Sequence, residues 1–214
     1  MAPAVALSAW MLLTDIPAPP RRLWPLLGRT EAGFRRLGDA AMRVLPPDDR
    51  LALGILYGQH RPATLGTFFH CLLVTVAALG LMRTWDFDGR CLPMVLIAFG
   101  FLALAVSGLY WPLQLAHAAA RPYMAALPLR RRWHVRSDAT AVLGLAVPFA
   151  AVLSASLWRD AAVPAGLAAA AAGSFLSLAV VLRVPQLFSK RHAVVASTVV
   201  AAGWTFAAAH LIAT

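Results

Sequence analysis

The sequence predicts an all-α fold: a polytopic transmembrane helical bundle of about five spans, N-terminus cytoplasmic, preceded by an amphipathic helix. Three observations predict it. Of 214 residues, 60% are hydrophobic and only 13% charged, whereas soluble domains run near 45–50% apolar and about 25% charged. A chain this poor in polar surface cannot coat a water-soluble globule of its size, and lipid removes the conflict. Five apolar runs, at 64–82, 91–116, 139–158, 161–182 and 192–213, are each long enough for roughly 30 Å of hydrocarbon, and none contains Asp or Glu. Finally, the basic residues fall between the runs, on alternate connections.

That alternation sets the orientation. Eight arginines precede the first run: Arg21, Arg22, Arg29, Arg35, Arg36, Arg43, Arg50 and Arg61. The first connection is short and mixed, with Arg83, Asp86, Asp88 and Arg90. The second is strongly basic, with Arg121, Arg130, Arg131, Arg132 and Arg136. The third holds Arg159 against Asp160, and the fourth holds Arg183, Lys190 and Arg191. No Lys or Arg follows the last run. Basic connections are retained in the cytoplasm, so the N-terminus is expected inside and the C-terminus outside. Lys190 is the only lysine and alanine is abundant. This composition suits a GC-rich bacterial genome, and with the spans it predicts a multi-pass protein of the bacterial inner membrane.

Residues 1–63 form the predicted cytoplasmic or interfacial region, and 64–214 the transmembrane bundle. Met1–Leu13 lacks a basic n-region and its apolar stretch is short, so it does not read as a signal peptide. Residues 30–45 read as an amphipathic helix. Thr30 is the N-cap, Glu31 lies in the first turn, and Phe34, Leu37, Ala41 and Val44 make one face before Pro46-Pro47 stops it. Such a helix either lies on anionic lipid or packs on the bundle. Residues 51–57 are apolar but too short to cross.

Within the spans, Pro112 is expected to kink or end the second, with 117–126 continuing as a cytoplasmic extension. Ser137 and Asp138 are expected to cap the third. The third and fourth should form a tight hairpin about Arg159-Asp160. Ala169, Gly173 and Ser177 place small residues every fourth position along the fourth, a pattern that lets helices approach closely. Cys71 and Cys91 should lie too far apart for a disulfide and remain free thiols.

Few residues suggest chemistry. The six histidines form no HExxH or similar ligand spacing. His70, early in the first span, is the candidate intramembrane polar residue, either a proton relay or an interface histidine. Asp86-Phe87-Asp88-Gly89 starts like a calcium loop but lacks its later ligands, so an outer-face turn is expected. No phosphate-binding loop, nucleophile elbow or nucleic-acid module is present. The expectation is a non-enzyme with no cofactor, no metal and no nucleic-acid partner.

The second basic connection stands apart. It sets apolar Tyr123, Met124, Leu127, Leu129 and Trp133 among five arginines. Such a mixture is typical of docking surfaces, although the arginines would also serve a purely topogenic role. The segment ALPLRRRWHVRSD, leading into an apolar helix, resembles the membrane subunits of ABC-2-type exporters. There a loop in this position carries a coupling helix that touches the ATPase subunit, and residues 30–45 are similar to that family's interfacial elbow helix. The resemblance implies a docking loop at Tyr123, Leu127, Arg130, Arg131, Arg132, Trp133 and Arg136. It implies a cytoplasmic ATPase partner and a dimer, with a second copy or another membrane chain. The family usually has six spans, and the last is missing here. The other expectation, independent of the resemblance, is a non-transport accessory or assembly subunit of a membrane complex.

Overall fold

The computed structural model describes residues 47–213 apart from 89, 125–132, 162 and 188–189. The predicted amphipathic helix at 30–45 lies outside the described residues.

The described chain is helical, with no strand among the described residues. Its elements are α1 (Pro47–Gly54), a π-helical turn (Ile55–Gln59), α2 (Arg61–Thr84), α3 (Cys91–Ser107), α4 (Tyr110–Met124), α5 (Trp133–Arg159), α6 (Ala165–Val181), α7 (Arg183–Gln186) and α8 (Lys190–Ala213). Five helical stretches are long and apolar enough to cross a membrane: Arg61–Thr84, Cys91–Ala120, His134–Arg159, Ala165–Gln186 and His192–Leu211. The protein is thus a multi-pass helical bundle, as its composition predicts.

Before the first span, the apolar stretch at 51–57 folds into α1 and the π-helical turn, and α1 packs against α5. The turn is closed by His60 N–H donating to Ile55 O at 3.0 Å. The Leu56 carbonyl inside it accepts instead from the Thr64 hydroxyl at 2.8 Å. A side chain thereby satisfies a backbone group that the irregular turn would otherwise leave bare. Pro62 sits in the first turn of α2, where its missing N–H costs nothing.

α3 is the central helix and contacts α2, α5, α6 and α8. Val95, Leu96, Phe99, Leu102 and Val106 are buried along it. Phe99 stacks on Phe175 of α6 with ring centroids 4.8 Å apart. Gly100 brings α3 close to α8, since a Cβ added there would lie 2.8 Å from Thr205 Oγ1. Phe68 of α2 and Phe149 of α5 pair at 5.5 Å. α5 and α6 pack against each other as the expected hairpin, with Pro164 at the N-cap of α6.

Two spans break near one end, each three or four residues before a proline. α3 stops at Ser107 and α4 resumes at Tyr110, ahead of Pro112. α6 stops at Val181 and α7 begins at Arg183, ahead of Pro185. A proline ring crowds the carbonyl four residues back and supplies no N–H to it, so the breaks fall where sterics put them. Pro112 does not end the second span, which runs on past the break to Ala120. Pro148 lies inside α5, which continues through it.

Three expectations need correction. Ser137 and Asp138 do not cap the third span, because α5 begins at Trp133 and both are buried inside it. It follows that the third span does contain an acidic residue. The small residues Ala169, Gly173 and Ser177 do not mediate packing within the chain: all three are exposed, while Ala168, Ala171, Phe175, Leu178 and Ala179 make the buried face of α6.

The first connection is the expected turn. Asp86 and Phe87 adopt left-handed φ of 49° and 56°. Asp88 Oδ1 accepts from Arg90 N–H at 2.7 Å, and its other oxygen lies 3.7 Å from Arg90 Nε. Both cysteines are buried free thiols.

Candidate functional site: a buried ionic cluster

The end of the second span, the start of the third, the end of the fourth and the start of the fifth share one end of an antiparallel bundle. This is also the end of the most basic connection. Here α4, α5 and α7 meet around one carboxylate.

Asp138 is 2% exposed. Its Oδ1 lies 2.7 Å from His117 Nε2 of α4, and its Oδ2 accepts from Arg183 Nη2 of α7 at 3.1 Å. Both partners are themselves largely enclosed. One carboxylate oxygen thus engages each neighbour, and three helices are tied at a single point. A buried carboxylate left alone costs several kcal/mol, roughly the effective desolvation penalty for one ion. Two donors on separate helices make the site tenable.

The chain builds the cluster from helical periodicity. On α4, Tyr110, Gln114 and His117 follow i, i+4, i+7 spacing and share a face. On α5, His134 precedes Asp138 by one turn, and its ring centroid lies 5.6 Å from that of His117. Arg183 is carried to Asp138 because the break at Leu182 restarts the helix there. Tyr110 is buried, and neither its hydroxyl nor Gln114 Oε1 has a hydrogen-bond partner among the described residues. A second polar contact at the same end joins Gln186 of α7 to Ser197 of α8, Nε2 to Oγ, at 3.5 Å.

Three of the predicted docking residues, Tyr123, Trp133 and Arg136, belong to the two helices α4 and α5 that help build this cluster. Tyr123 belongs to the last turn of α4 and Trp133 opens α5. Arg136 is exposed on the first turns of α5, where its carbonyl accepts from the Thr140 hydroxyl at 2.9 Å. Leu127, Arg130, Arg131 and Arg132 lie outside the described residues. Asp138 and His117 stand just inside the two roots of this connection.

His70 lies elsewhere. It is exposed on α2, with Nδ1 2.8 Å from the Gly66 carbonyl. The histidine enclosed among helices is His117, which the sequence places merely at the start of an extension. Its signal is faint but real: the 110/114/117 polar stripe in an otherwise apolar run. Among the described residues no group of three or more His, Cys, Asp or Glu could hold a metal ion.

No protein-family model, curated protein or solved structure matches the chain. The fold and the cluster together define a multi-pass helical membrane bundle whose basic end is organised by one buried carboxylate.

Proposed function

We propose that the chain is the membrane subunit of an exporter-type complex in the bacterial inner membrane, driven by a separate cytoplasmic ATPase that docks on residues 121–136. The chain would do no covalent chemistry itself, and it would work beside a second copy or another membrane chain. The observation that carries this reading is the clamp at the roots of the docking segment. His117 and Asp138, 21 residues apart in sequence, are joined at 2.7 Å, and Asp138 is joined in turn to the end of the fourth span. A force applied to the segment would therefore be delivered to α4, α5 and α7 together. A loop that served only to fix orientation would need no such tie. The basic character of the connection supports a cytoplasmic position for it, and its mix of arginine with aromatic and aliphatic residues suits a protein interface.

The test is mild-detergent co-purification of the tagged chain from its native host, with identification of what comes with it. The expected partner is an ATPase subunit. Charge reversal at Arg130, Arg131 and Arg132 should abolish the association, in a variant whose topology reporters are shown to be unchanged. Retention of the ATPase by that variant, or a stoichiometric partner that is not an ATPase, would overturn the proposal. The second outcome would favour the accessory-subunit alternative.

A further inference from the structure

We propose that Tyr110 and Gln114 hold an ordered water molecule beside the Asp138–Arg183 pair, and that this water completes the polar end of the bundle. The site goes beyond the exporter reading and stands without it, because every group it needs belongs to this chain.

Two buried oxygens on one face of α4 lack a hydrogen bond. Tyr110 is 3% exposed, and its hydroxyl has no partner among the described residues. Gln114 stands one turn further on, and its Oε1 is buried and equally without a partner there. A buried polar atom left bare forfeits its whole hydration, which costs more than a typical hydrogen bond returns. Buried polar groups are therefore almost always satisfied by protein or by ordered water. These two atoms are also neighbours. Residues four apart on a helix have Cβ atoms about 5–6 Å apart. Long helical side chains lean back over the preceding turn, which carries the Gln114 amide over the turn that Tyr110 occupies.

The chemistry of the pair selects the ligand. A phenol hydroxyl both donates and accepts, whereas an amide oxygen only accepts. An anion would meet no donor at Gln114 Oε1. A cation would meet little compensation. Tyr110 lies near enough to Asp138 and Arg183 to interact electrostatically with both, but the Asp138 oxygens are already engaged, one by His117 and one by Arg183. An uncompensated charge in an enclosed place is costly. A neutral molecule that donates and accepts fits, and water is the smallest. It accepts from the Tyr110 hydroxyl and donates to Gln114 Oε1, and it serves equally if the amide is turned end for end. Two partners meet the lower bound for a buried water. Arg183 spends one N–H on Asp138 and has others to offer as a third. The water thus adds a polar bridge from α4 toward the Asp138–Arg183 pair.

The sign of one substitution tests the site. Were the hydroxyl bare, Tyr110→Phe would delete an unsatisfied buried group and raise the unfolding temperature. With the water held, the same change breaks a hydrogen bond and leaves Gln114 poorly served. The unfolding temperature should then fall by about 2–4 °C, the shift that one hydrogen bond gives in a chain of this size. Gln114→Leu should lower it similarly, and the double variant should lose less than the two losses added, because the water leaves with both its holders. A Tyr110→Phe chain that is unchanged or more stable, or a double variant whose loss is simply additive, overturns the proposal. Should the variants fail to fold, the unmodified chain decides the matter through labelling by X-ray-generated hydroxyl radicals in heavy-oxygen water. The Tyr110 ring should take up the label despite its burial, while Phe99 and Phe175, fully enclosed in the apolar core, should not. A Tyr110 ring as unlabelled as those two overturns the proposal. Where Gln114→Leu does fold, its Tyr110 labelling should drop several-fold, and unchanged labelling overturns it as well.

Discussion

His117 Nε2 and Asp138 Oδ1 meet at 2.7 Å across 21 residues of chain, most of them belonging to the basic connection. That bond, with Arg183 on the other carboxylate oxygen, ties α4, α5 and α7 together. Removing the acceptor should hurt more than removing either donor. Asp138→Ala strands Arg183 and His117 and should cost about 3–5 kcal/mol, the usual penalty for breaking a buried pair. Asp138→Leu combined with Arg183→Leu should recover part of that loss, because no unpaired charge remains. Thermal unfolding in one detergent, followed by fluorescence-detected size exclusion, measures both. A double variant no better than Asp138→Ala would refute the account of the cluster as an ionic tie.

The approach of α3 to α8 depends on Gly100. Gly100→Ala places a methyl 2.8 Å from Thr205 Oγ1, which a rotation of Thr205 can relieve. That rotation gives up its bond to the Ala201 carbonyl, a modest loss of about 1 kcal/mol. Gly100→Leu cannot be absorbed this way and should force the fifth span away from the core. Thr205→Ala should rescue Gly100→Ala and leave Gly100→Leu defective. The monodisperse yield of each variant checks the order.

Phe99 and Phe175 form the stacked centre of the apolar core. Lipid is as apolar as the core, so packing rather than escape from water holds this pair. Phe175→Leu should therefore be mild, while Phe175→Ala, which opens a cavity, should lower the unfolding temperature clearly. Equal effects would show that the ring's volume does not matter there.

Burial raises the pKa of the Tyr57 phenol, which lies ahead of the first span. A proton bound more tightly in the folded state gives stability that is intact below the unfolded value near 10. It is lost as pH rises through the folded value. The chain should lose stability in strong alkali, and Tyr57→Phe should lose less. The ultraviolet difference titration between the two proteins should place the missing phenol above the ordinary tyrosine range.

Charge alternation predicts the orientation, and reporters can check it. Fusions at 160 and 214 should read outside, and a fusion at 128 inside. A cytoplasmic reading at 214 would invert or break the order of crossings.

The spans were legible because a bilayer demands length and apolarity, which are both one-dimensional properties. The breaks were half legible. Pro112 announced a disturbance, and the structure places it three or four residues upstream. The sequence reads Asp138 as a cap for a physical reason. Its sequence neighbours, Ser137 and Ala139, suggest a cap at a membrane boundary, and only residues 21 and 45 positions away make burial tolerable. The same nonlocality hid His117. His70 stands within an apolar run, yet depth along a helix says nothing about which side of it faces neighbours, and His70 is exposed. The small-residue pattern on α6 failed similarly: spacing identified a stripe, and the outward rotation of the helix decided that it stays exposed.

The two helix breaks have an architectural meaning. Tyr110, Gln114 and His117 stand beyond the Gly108–Leu109 break, and Arg183 and Gln186 stand beyond the one at Leu182. Those five members of the polar layer thus stand past a helix break, while Asp138 and His134 stand on the unbroken α5. The breaks lie between this polar layer and the Phe99–Phe175 stack of the apolar core. The breaks separate a polar end from an apolar one, so substitutions in one half should be tolerated without compensating changes in the other.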